Sequence, residues 1–161
     1  MVPFAGLATL GHIGAAMALI AGLVGSRILN RRAARSKGVD DIVRLTRAAA
    51  PFDRILSVAG PLTVLTGLLA AWANGYLWLG LTTPWILASL AIIAVLVALI
   101  ALVFAPDGVR VEGEIQAAKA AGEVTPSLRA AFEPTGAKRF AYWYGDLAGW
   151  AIVALMVLKP G

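Results

Sequence analysis

Two ionisable side chains stand inside long uncharged stretches, and any chemistry would have to start from them. His12 lies in residues 1–26, which contain no Lys, Arg, Asp or Glu, and Asp146 interrupts the apolar stretch Phe140–Leu158. A neutral imidazole suits iron, copper or zinc and can relay protons. A carboxylate in apolar surroundings can pair with a cation or carry a proton. His12 is the single histidine and the chain has no cysteine. Disulfides, thiolate metal sites and cysteine nucleophiles are therefore excluded, and neither a stand-alone metal centre nor a Ser-His-Asp set can be assembled. His12 reads as a neutral histidine donating to a carbonyl, as a proton relay, or as an axial ligand of a haem. That haem would be completed by a second chain, by a methionine such as Met156, or by an open position; Met17, five residues on along one helix, cannot take the opposite axial place. Asp146 reads as an ion-pair partner of Arg27 or Arg54, as an acceptor for Tyr142 or Trp150, or as a proton carrier. No glycine-rich phosphate loop and no cluster of carboxylates is present, and Glu112 and Glu114 read as a solvated helix face. The catalytic set is empty, so a non-catalytic role ranks ahead of an enzymatic one.

The elements that position these groups follow from the composition. The 161 residues are 60% hydrophobic and 14% charged, with a mean hydropathy of +0.80. Soluble domains carry about 25% charged residues, and so many apolar side chains cannot be hidden in one small core. A helix crossing the hydrocarbon needs roughly 20 apolar residues. Residues 4–26 supply one span. The 52-residue run Ile55–Pro106 has no charge and suits two spans, about 55–72 and 85–105, divided by the turn-rich residues 73–84. Residues 139–158 supply a fourth. The runs are continuously apolar where barrel strands would alternate. The fold expected is all-α, a four-helix transmembrane bundle forming a single integral membrane domain. At about 1.5 Å per residue, His12 sits roughly 12 Å from one membrane boundary and Asp146 roughly 10 Å from the other, so they do not form a hydrogen-bonded pair.

Of the 14 Lys and Arg residues, eight fall in 27–54, five in 106–138 and its boundary, and one, Lys159, at the C-terminal end. The segment between spans 2 and 3 has none. The bias places loops 27–54 and 106–138 in the cytoplasm and both termini on the periplasmic or extracellular side. This topology accounts for the net charge of +5 without nucleic acid. Ten Arg against four Lys, with abundant Ala, fits a GC-rich bacterial genome and hence a bacterial inner membrane. The first run lacks a basic leader and reads as a retained helix rather than a signal peptide. Trp72, Tyr76, Trp78 and Trp85 form one interfacial aromatic belt, and Tyr142, Trp143 and Tyr144 another. Both cytoplasmic loops read as helical. Asp40 and Asp41 open a helix over 39–50, Glu112–Ala121 ends at Gly122, and Thr125 before Pro126 caps a short helix through Phe132.

Because lipid gives no hydrophobic drive between spans, small residues decide where helices approach. Gly14, Ala18 and Gly22 lie four apart in span 1; Ala59, Thr63, Gly67 and Ala71 do so in span 2. Span 3 carries Ala91, Ala94, Ala98, Ala101 and Ala105, and span 4 carries Ala141, Gly145 and Gly149. Pro61 should kink span 2.

The stretch Leu10-Gly11-His12-Ile13-Gly14-Ala15, the basic segment after it, Leu65-Thr66-Gly67-Leu68 and the ending Leu155–Pro160 together resemble an uncharacterised bacterial family of four-helix integral membrane proteins, a domain of unknown function. More distantly, a first-span His followed by glycine and arginine is similar to the membrane protoporphyrinogen oxidase and copper-resistance D folds. The oxidase family pairs that His with a third-helix Lys, and span 3 here contains none. The leading expectation is an accessory or structural subunit, in contact with the lipid bilayer and assembled as a homo-oligomer or within a larger membrane complex. A haem-binding redox bundle using His12 and a small proton-coupled transporter using Asp146 are the alternatives. Small multidrug exporters resemble the last, but carry their acid in the first helix.

Overall fold

Uncharged runs of this length leave the backbone no partner but itself, and helices are the outcome. The computed structural model describes residues 3–76, 78 and 81–158. Among these, the α-helices are α1 (Phe4–Arg35), α2 (Val39–Ala73), α3 (Pro84–Leu99), α4 (Ala105–Ala121), α5 (Pro126–Phe132) and α6 (Gly136–Leu158), with a π-helical turn, Ile100–Phe104, joining α3 to α4. Four helical stretches are long and apolar enough to cross a membrane: Phe4–Arg35, Val39–Ala73, Pro84–Ala121 and Pro126–Leu158. Lys159 lies outside the described residues. The chain divides into two compact units, Met1–Gly80 and Leu81–Gly161.

The first unit is the antiparallel pair α1 and α2. Both helices run well past the ends of their uncharged runs. The 32 residues of α1 make a rod of about 48 Å, against a hydrocarbon thickness of about 30 Å. The charge boundary at Arg27 therefore marks no helix end. Arg and Ala are strong helix formers, so the segment expected as a loop continues the rod to Arg35. It stops at Ser36, which turns extended while its N–H bonds the Ala33 carbonyl at 3.0 Å and its hydroxyl donates to the Arg32 carbonyl at 3.1 Å. Asp40 and Asp41 then occupy the first turn of α2, and Arg32 and Arg35 the last turn of α1, each suiting its helix dipole. Helix α2 continues through both Pro51 and Pro61. It ends in a Schellman turn. Gly75 at φ +86° takes the left-handed position, the Tyr76 N–H reaches the Ala71 carbonyl at 3.1 Å, and the Gly75 N–H reaches Trp72 at 3.0 Å.

The buried residues of α1 are Ala8, Ala15, Gly22, Ser26 and Ala33; those of α2 are Ile42, Ala49, Ala59, Ala70 and Ala71. Most of their separations are seven residues or combine threes and fours with sevens, as in a left-handed coiled-coil seam. The seam is built from small side chains, so the backbones come close. A Cβ on Gly22 would lie 3.1 Å from the Phe52 carbonyl oxygen, and one on Gly25 would overlap the Phe52 ring.

In the second unit, α3 packs on α6, and α4 on α5. Pro84 begins α3 in the first-turn position where its missing N–H costs nothing. The π turn ends two residues before Pro106, which can donate no hydrogen bond and whose ring would press on a carbonyl one turn back in a regular helix. Widening that turn relieves the clash, and the Ala105 N–H bonds five residues back to Ile100. Gly122 at φ +75° ends α4. Thr125 caps α5 by accepting from the Leu128 N–H at 3.2 Å. Thr135 does the same for α6, accepting from the Lys138 N–H at 3.3 Å. Ile115, Ala118, Leu128 and Ala131 form a small core between α4 and α5.

The close approach at Gly25 gives a first test. Gly25→Leu overfills the seam and should lower stability in detergent by about 1–3 kcal/mol. Gly14→Leu, where nothing lies within 4 Å of the added carbon, should leave it within error of wild type. Thermal unfolding of the purified variants followed by circular dichroism checks both.

Candidate functional site

His12 projects from the third turn of α1 into the α1–α2 seam. Its Nδ1 lies 3.0 Å from the carbonyl oxygen of Thr63 on α2. A carbonyl only accepts, so Nδ1 carries the proton, and in the neutral ring the lone pair belongs to Nε2. The same carbonyl also accepts from Thr66 Oγ1 at 3.3 Å, and Thr63 Oγ1 donates to the Ala59 carbonyl at 2.7 Å. The imidazole has room because its neighbour is Gly67. A Cβ there would stand 3.0 Å from the ring Cε1 and 3.1 Å from Nδ1. Beyond it, Asn74 Nδ2 donates to Thr9 Oγ1 at 3.3 Å and to the Ala70 carbonyl at 2.7 Å. Phe4 and Trp72 meet edge to face at that end of the pair, with centroids 6.0 Å apart. A short polar ladder thus runs along one end of the seam.

At the other end, Ser26 is buried and its hydroxyl donates to Asp53 Oδ1 at 2.6 Å, while Asn30 Nδ2 donates to Ser26 Oγ at 3.1 Å. Arg27 and Arg54 are the adjacent residues on α1 and α2. Gly22 lies in the seam, Ala18 is half-buried beside it, and Gly14 faces outward.

Asp146 sits on the exposed side of α6, one turn after Tyr142 and one before Trp150. The Tyr144 hydroxyl donates to the Ile92 carbonyl of α3 at 3.3 Å, and Tyr142 stacks obliquely on Phe104 with centroids 5.1 Å apart. Gly145 faces Leu96 of α3, and Gly149 has nothing within 4 Å of an added Cβ. Among the described residues, no three His, Cys, Asp or Glu side chains gather as a metal-ion site.

The most concentrated charge in the second unit escaped sequence reading. Lys138 is 6% exposed, and its ammonium lies 2.5 Å from Asp107 Oδ2 and 3.2 Å from the Ala131 carbonyl. Arg110 Nη2 reaches Asp107 Oδ1 at 2.9 Å and the same Ala131 carbonyl at 3.1 Å. One carboxylate and one carbonyl at the C-terminal end of α5 thus serve two cations, tying the start of α4 to the start of α6. The only sequence signal was that Asp107 and Lys138 flank the charged segment on its two sides. Nothing in their spacing of 31 residues indicates contact.

This cluster predicts strong coupling. Asp107→Asn leaves a buried ammonium without its counter-charge and should cost about 3 kcal/mol. Asp107→Asn combined with Lys138→Met should cost much less than the sum of the single changes. Unfolding free energies of the three variants in mixed micelles measure the difference.

No curated protein and no solved structure matches this chain. Residues 7–160, nearly its whole length, match the family described as predicted integral membrane protein, DUF2269. Four apolar helices of membrane-crossing length agree with that description. The chain belongs to the DUF2269 family of integral membrane proteins.

Proposed function

We propose that this protein is a non-catalytic membrane subunit that docks neighbouring helices, of a second copy or of a larger complex, through glycine and alanine faces. The observation carrying this reading is that small residues are used unequally. Gly22, Gly25 and Gly67 are taken up by contacts inside the first unit, whereas Gly11, Gly14 and Gly149 have nothing within 4 Å of an added Cβ. Ala91, Ala94, Ala98, Ala101 and Ala105 are likewise exposed along the rod from α3 to α4. In hydrocarbon a smooth face gains little from lipid chains and more from a second helix that can approach closely. The distribution of basic residues supports an orientation with both termini outside, and the excess of Arg over Lys with abundant Ala supports a bacterial inner membrane.

His12 favours one second reading. Its Nδ1–H is held by the Thr63 carbonyl, the arrangement that orients metal-ligating histidines and leaves Nε2 as the donor atom. His12 would hold a haem iron through Nε2, and the haem would supply one-electron chemistry.

The two readings separate in experiment. Under the first, Gly14→Leu together with Gly149→Leu reduces the assembly mass measured by light scattering in detergent, without loss of helicity. An unchanged mass counts against it. Under the second, protein expressed with added haem shows a Soret band that shifts on dithionite reduction and vanishes in His12→Ala. A featureless spectrum removes the haem reading and leaves the first untouched.

A further inference from the structure

The first unit places a collar of arginines where its uncharged helices end. We propose that Arg31, Arg47 and Arg54 bind the phosphates of anionic phospholipids in the leaflet at that end of the α1–α2 pair. The hydrogen bond from Ser26 Oγ to Asp53 Oδ1 sets residues 26 and 53 side by side. Residues 27 and 54, the first charged positions bordering the two uncharged runs, therefore stand at nearly the same level, which is the edge of the hydrocarbon. Arg31 is one turn beyond Arg27 on α1. Side chains lean toward the N-terminus of their helix, so Arg31 leans back toward the apolar segment, while Arg54 on the returning helix leans away from it. Both guanidinium groups are thus directed into the headgroup layer, and Arg47 lies within one residue of the level of Arg31.

These three side chains are turned away from the seam and exposed, and among the described residues they make no hydrogen bond or ion pair. The nearby acid, Asp53, has one oxygen engaged by Ser26. The other two acids of this segment, Asp40 and Asp41, lie in the first turn of α2 near the hairpin connection, and Asp41 is paired with Arg44 at 2.8 Å. The level next to the membrane is consequently cationic. A guanidinium presents two parallel N–H donors to a phosphodiester and stays charged at every physiological pH. Attraction to an anionic leaflet falls off within about 10 Å of the surface, which singles out this level over the far end of the hairpin.

The test is electron spin resonance of spin-labelled phosphatidylglycerol and phosphatidylcholine, with the full chain reconstituted in phosphatidylcholine vesicles. The wild type should immobilise the anionic label with a preference of about fivefold or more. Arg31→Gln, Arg47→Gln and Arg54→Gln together should lower the preference at least twofold, whereas Arg44→Gln, at the hairpin end, should retain it. Equal immobilisation of both labels by the wild type overturns the proposal without recourse to any variant. So does a preference that falls less than twofold in the triple substitution or falls as far in Arg44→Gln.

Discussion

In hydrocarbon an unpaired backbone N–H or C=O costs several kcal/mol, and this constraint shapes nearly every feature of the chain. It explains why uncharged stretches become helices without interruption. It also explains why the available polar side chains turn onto their own backbone. Thr9, Thr63, Thr66 and Ser89 each donate to the carbonyl four residues earlier, at 2.7–2.9 Å. Such side chains are then free of charge and nearly free of unmet polarity. Among those that bridge helices, His12 to Thr63 and Ser26 to Asp53 are correspondingly informative because each fixes the register of α1 against α2.

With polar groups so occupied, contact between helices rests on shape. The α1–α2 seam gains its closeness from absent atoms: glycine at 22, 25 and 67 admits Leu56, Phe52 and the His12 ring. The second unit follows another plan. Its membrane-spanning helices meet through Tyr144, Phe104 and Tyr142, and its polar lobe is joined to α6 by a buried ion pair. Two units of similar length thus use dispersion and charge in different proportions.

Local and compositional features were legible in the sequence. The apolar runs gave the four long helices, and Thr125-Pro126, Gly122 and the Ala73–Tyr76 turn marked element ends through chemistry confined to a few residues. Helix lengths were not legible, because the change from apolar to charged residues marks a solvent boundary, and arginine continues a helix as well as leucine does. The seven-residue seam of α1 was hidden among 17 glycines and many alanines, which offer several competing stripes at once. Steps of four through Gly14, Ala18 and Gly22 formed one such stripe, and the contacts within the first unit engage only its last member closely. The role of Gly67 as the floor under His12 needed the fold, since 55 residues separate the two. The Asp107–Lys138–Arg110 cluster needed it for the same reason.

The π turn at Ile100–Phe104 has a consequence for the orientation of everything after it. One surplus residue taken up in a π turn sets the phase of the following helix back by about 100°, so the face continued from α3 into α4 is not the face that a regular helix would present. Asp107 and Arg110, which follow the turn on α4, reach Lys138 of α6 and the Ala131 carbonyl of α5 from the face so presented. The turn behaves as a gear between an apolar rod and its polar continuation: it lets one unbroken helix serve two environments whose preferred faces do not line up.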